Sequence, residues 1–95
     1  METVTRPMDI PVEVMVSIAR DYAPDLRATT KGFVARCPFH QELTPSFFIN
    51  AEKRYFHCFG CGAGGDVFSL VSRAEGVSFD VAAAKVAERN KSWRS

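Results

Sequence analysis

All three cysteines and both histidines of this chain fall within one stretch, CPFHQELTPSFFINAEKRYFHCFGCGAGG, from Cys37 to Gly65. They form two clusters, Cys37-Pro38-Phe39-His40 and Cys58-Phe59-Gly60-Cys61, separated by Gln41 to His57. Each cluster carries a pair of ligand-type side chains at the spacing in which a tight backbone turn aims both at one ion. Two such half-sites on a short chain predict a closed tetrahedral Zn²⁺ site.

The chain has 95 residues, enough for one domain that buries only about 60–65 % of the surface its unfolded form exposes. A core of that size commonly needs a staple. Three cysteines cannot pair off as disulfides, and the N-terminus lacks the basic start and apolar run of a secretory signal. A metal in a reducing cytosol is the alternative, which places the protein in the cytoplasm. No run approaches the roughly 18 apolar residues of a membrane span, so a soluble protein with no membrane partner is expected.

The formal charge of +1 falls to about zero once three thiolates and a Zn²⁺ ion are included. Its distribution says more. Residues 1–25 hold Arg6 and Arg20 against five acidic side chains, whereas residues 26–57 hold Arg27, Lys31, Arg36, Lys53 and Arg54 against Glu42 and Glu52. A polyanion would therefore be drawn to the metal-bearing middle rather than to the N-terminal region.

Residues 1–8 read as a loose tail, residues 9–90 as the domain and residues 91–95 as a frayed end. Asp9 is a candidate N-cap for a helix with Val12, Met15, Val16 and Ala19 on one stripe and Val14, Ile18 and Tyr22 beside it, ending before Pro24. Asp25 to Lys31 reads as a connector with some extended character, and Gly32 as a turn. Phe33–Arg36, Phe47–Ile49 and Arg54–Cys58 read as short strands, with turns at Pro38, at Thr44-Pro45-Ser46 and between Asn50 and Lys53. Gly60, Gly62, Gly64 and Gly65 let the backbone curl around a thiolate. Asp66 then caps a helix burying Val67, Phe68, Leu70 and Val71 and stopping near Gly76, and Ser78 caps another with Phe79, Ala82, Ala83 and Val86 inward. The pattern predicts an α+β fold: a short antiparallel sheet of three or more strands, one helix before it and two after.

Four ligands close a structural zinc site, and the chain offers Cys37, His40, Cys58 and Cys61. His57 competes with His40, but strand alternation turns His57 away from the face of Cys58. A redox-active Cys58/Cys61 pair would leave Cys37 and His40 without a role. With four protein ligands, zinc has no open position for substrate, so catalysis by the metal is not expected.

Cys-Pro-Phe-His, Glu-x-Thr-Pro-Ser-Phe and Phe-His-Cys-Phe-Gly-Cys-Gly with the trailing Gly-Gly-Asp resemble the N-terminal zinc-binding domain of bacterial and phage DNA primases, a Cys-His-Cys-Cys zinc-ribbon family. The resemblance covers about residues 10–89. It implies one structural Zn²⁺ held by Cys37, His40, Cys58 and Cys61, and a sheet whose basic and aromatic face contacts single-stranded template during primer initiation. Carried over by position, Lys53, Tyr55 and His57 belong to that DNA face. Alternation agrees, setting Tyr55 and His57 opposite Arg54, Phe56 and Cys58. Lys31 and Arg36 are further phosphate contacts by charge, and Phe47, Phe48, Phe56, Phe59 and Phe68 are expected in the core. The metal-dependent polymerase region typical of the family is not found before Ser95. The resemblance thus implies a non-catalytic module acting with a primase catalytic domain, in the same chain or another. A zinc-stapled domain that docks a helicase or polymerase through its C-terminal helices is the alternative, and a thiol redox switch that loses zinc on oxidation is a third reading. Oligomeric state is not indicated.

Overall fold

The computed structural model describes residues 9–39 and 45–93; His40, and Thr44 of the expected Thr44-Pro45-Ser46 turn, lie outside them. The first helix, α1, spans Val12–Tyr22 and buries Val14, Met15, Val16, Ile18 and Ala19. Pro11 rather than Asp9 is its N-cap, with no side-chain bond. Proline presets φ near the helical value, and its carbonyl accepts the amides of Val14 at 3.0 Å and Met15 at 3.1 Å, so the cap lies two residues after the expected one.

The strands are β1 (Arg27–Ala28), β2 (Gly32–Ala35), β3 (Phe47–Asn50), β4 (Tyr55–Cys58) and β5 (Gly64–Gly65), paired antiparallel in chain order. Register sets Phe33, Ile49 and Phe56 in one inward row and Ala35, Phe47 and Cys58 in the next; Val34, Phe48 and His57 share the outer face. The inward rings form a cluster, with Phe47 and Phe56 at 5.6 Å between centroids. Gly32 is not the turn that its identity suggested. It opens β2 at the close of the turn, its carbonyl accepting the Thr29 amide at 2.7 Å, and an added Cβ there would fall 1.9 Å from the carbonyl oxygen of Ile49. The reversal belongs to Thr29, whose Oγ1 accepts the amides of Lys31 at 3.3 Å and Gly32 at 3.2 Å.

Two helices close the fold. Helix α2, Val67–Glu75, is capped by the Asp66 side chain, which accepts the Ser69 amide at 2.9 Å, and ends on Gly76 at φ 67°. Helix α3, Phe79–Trp93, buries Ala82 and Val86; Ser78 Oγ accepts the Val81 amide at 3.3 Å. Phe79, expected inward, is half exposed and rests edge-on against Phe68 at 5.7 Å. The helix also continues past Asn90 to Trp93. No glycine or proline breaks it there, Ser92 Oγ donates to the Glu88 carbonyl at 3.1 Å, and Arg89 is tied to Ser17 and Asp21 of α1.

Helix α2 packs on β4 and β5 and against both other helices. A second polar tie links the helices where Tyr22 Oη donates to Glu75 Oε2 at 2.6 Å and Lys85 Nζ stands 3.3 Å from Glu75 Oε1. Burial, then the Glu75 carboxylate, pushes the Tyr22 phenol well above its usual range; the same bond, with help from Lys85, holds Glu75 below the ordinary carboxylate value. Among the described residues, no helix is long and apolar enough to cross a membrane.

Candidate metal centre and the adjoining sheet face

The inward row Ala35, Phe47, Cys58 ends at the edge where the chain leaves β2 for Cys37. The Sγ atoms of Cys37, Cys58 and Cys61 lie within 4.8 Å of one another, and Cys37 Sγ is 3.9 Å from Cys61 Sγ. Tetrahedral zinc with 2.3 Å bonds to sulfur separates its ligands by about 3.8 Å, so the spacing fits the ion. Cys37 and Cys58 are buried and Cys61 is exposed. His57 stands on the opposite face of β4, as alternation requires, and His40 is not among the described residues.

Backbone geometry builds each half-site. The Cys58 amide donates to the Ala63 carbonyl at 2.7 Å and the Gly62 amide to the Cys58 carbonyl at 2.8 Å, folding the chain around Cys61. Gly62 does this at φ 80°, a conformation in which a side chain is strained. On the other half, the Phe39 amide donates to Cys37 Sγ at 3.5 Å. Ser46 Oγ lies 3.6 Å from Cys58 Sγ. Without metal, burial and then the neighbouring Cys58 thiol push the Cys37 thiol up to about 12. Thiolates crowded here require a cation, and a bound zinc ion deprotonates its thiols outright.

The outer face of the same sheet is aromatic. Phe48 pairs across the strands with His57, and Tyr55 shares their face at 39 % exposure. Phe59, expected in the core with Phe48, is 72 % exposed. It follows Cys58 into the turn between two ligands, where strand alternation no longer sets its direction, and its ring meets His57 edge-on at 4.6 Å. Arg27, which falls within the weakly periodic Asp25–Lys31 connector and so shows no face by pattern, extends the row beyond Val34. Exposed Lys31 and Lys53 stand at the strand turns, at the end of the sheet away from the sulfurs. Arg36 is also exposed, but its Nε donates to Asp25 Oδ2 at 3.3 Å, and its own amide donates to the same oxygen at 3.0 Å. That amide bond is the main reason the Asp25 carboxyl lies below its usual value.

The chain matches the CHC2 zinc finger family over residues 4–93. It belongs to that family. The CHC2 domain is similar to part of the DNA primase of Geobacillus stearothermophilus, 39 % identical over 89 residues, which are 94 % of this chain and 14 % of that protein. It is 42 % identical over 74 residues to the DNA primase of Enterococcus faecalis, covering 78 % of this chain and 12 % of the relative. Its fold resembles the Aquifex aeolicus primase structure that contains zinc-binding and RNA polymerase domains, with a TM-score of 0.74 and 34 % identity over 92 % of this chain and 22 % of that one. The CHC2 domain therefore spans only a small fraction of the relatives it matches. Its metal is one structural zinc, as the family, the solved relative and the sulfur cluster agree.

Proposed function

We propose that this CHC2 domain is a non-catalytic, zinc-dependent module that binds single-stranded DNA to recognise template for primer synthesis in cytoplasmic DNA replication. It works with an RNA polymerase domain of the kind its solved relative carries, in the same chain or another. Cys37, His40, Cys58 and Cys61 hold the zinc, His40 supplying the fourth ligand. The observation that carries the reading is the solvent-facing group of Phe48, Tyr55, His57 and Phe59 on a metal-held sheet. Aromatic faces stack on unpaired bases whatever their sequence, and Lys31, Lys53 and Arg27 neutralise phosphates beside them. Arg36 contributes less, because Asp25 already engages it.

Stacking contributes about 1–3 kcal/mol per base, so Phe59→Ala should weaken binding to a short labelled oligonucleotide by about fivefold or more. Fluorescence anisotropy at low salt measures this. The thermal midpoint should hardly change, because so exposed a ring contributes little to the core. The logarithm of affinity should also fall with the logarithm of salt with a slope of about −2, as expected for three phosphate contacts to a single strand. Equal affinity of the variant and the parent protein would refute the assignment.

A second reading has its own observation: Phe79, Val81 and Trp93 on α3 are each close to half exposed. They favour docking of a replication enzyme through the C-terminal helices. Binding of such an enzyme in nuclease-treated solution, lost on Val81→Asp and retained on Phe59→Ala, would support it.

A further inference from the structure

Helix α2 meets both halves of the metal centre. Its N-cap follows β5 directly, close after the Cys58–Cys61 half-site. Further along it, Arg73 places its guanidinium carbon 5.6 Å from the centroid of the Phe39 ring. Phe39 belongs to the other half-site: its amide donates to Cys37 Sγ, and its ring lies edge-on to Phe47 at 6.2 Å and tilted against Phe56 at 5.8 Å. Rings from β3 and β4 thus hold Phe39 from the sheet, and a cation holds it from the helix. A guanidinium at this distance from an aromatic centroid is attracted by the ring's negative face.

We propose that Arg73 is a positioning residue for the zinc, bracing the Cys37 turn through Phe39 and slowing loss of the metal. For Cys37 to let go of the ion, its turn must open. Phe39 sits inside that turn, so the ring must shift and the cation–π contact must break before the ion can leave. Helix α2 then acts as a cross-brace, joined to one half-site through the backbone and to the other through Arg73. The inference rests on Cys37 being a ligand.

The test is the rate at which the zinc-loaded protein transfers its metal to the chromophoric chelator 4-(2-pyridylazo)resorcinol. Arg73→Ala should release zinc about two- to fivefold faster, the range expected for an exposed cation–π contact. Arg73→Lys should restore most of the difference. Phe39→Leu, which keeps apolar bulk without the ring, should speed release too, and adding Arg73→Ala to it should change little more. Lys85→Ala breaks an ion pair to Glu75 on the same helix, away from Phe39, and should release zinc at the parent rate. A parent-like rate for Arg73→Ala would overturn the proposal, as would equal acceleration by Lys85→Ala. Undiminished zinc affinity in Cys37→Ser would instead remove the ligand on which the inference rests.

Discussion

Stripping the zinc with a strong chelator should unfold the sheet, with loss of amide dispersion in NMR spectra and of near-ultraviolet circular dichroism. Structural zinc in small domains contributes about 10–16 kcal/mol near neutral pH, whereas whole domains are stable by only about 5–15 kcal/mol. The geometry shows why the loss would not stay local. Cys37 lies just beyond β2, Cys58 ends β4, and Cys61 sits in the loop leading to β5, so the metal joins three parts of one sheet. Acid should act as a chelator does. A thiol pushed up to about 12 by burial takes a proton readily, so falling pH favours the protonated, metal-free cluster and zinc should leave as pH drops. A chelated protein that kept its dispersed spectrum would show that the metal is not structural.

Phe56→Ala should be among the most damaging single core changes, lowering stability by about 3–5 kcal/mol. Phe56 is 1 % exposed, its ring touches Phe47 and Phe39, and it sits two residues before Cys58. Its loss would open a cavity directly beneath both half-sites. Thermal denaturation of the zinc-loaded protein measures the cost, and a midpoint close to the parent value would contradict the packing described. Phe59→Ala provides the contrast. The two phenylalanines are three residues apart, yet one belongs to the core and the other to the solvent face.

That contrast marks how far the sequence could be read. The cysteine half-sites, the inward Phe56 and the outward Tyr55 and His57 follow from ligand spacing and strand alternation, both local rules. Asp66 was legible as a cap because its side chain bonds an amide only three residues away. Phe59 was not, because it lies in a ligand turn, where coordination rather than pleat decides direction. Gly32 suggests a turn by identity alone, because glycine does not distinguish conformational freedom from the need for close approach; only the Ile49 carbonyl beside it makes the difference. The two-residue β5 carries no side chains and hence no pattern, and is visible only through its pairing with Phe56 and His57. The Asp25 contact that engages Arg36 joins residues eleven apart, beyond what local periodicity reports.

If the zinc-held sheet binds single-stranded DNA through its aromatic face, as proposed, the bound strand should perturb that face and leave the helices alone. Amide NMR of the zinc-loaded protein, titrated with a short single-stranded oligonucleotide at low salt, tests it most directly. Shifts should concentrate on Phe48, Lys53, Tyr55, His57 and Phe59, with α3 unperturbed. Shifts confined to α3, or none on the sheet face, would contradict it.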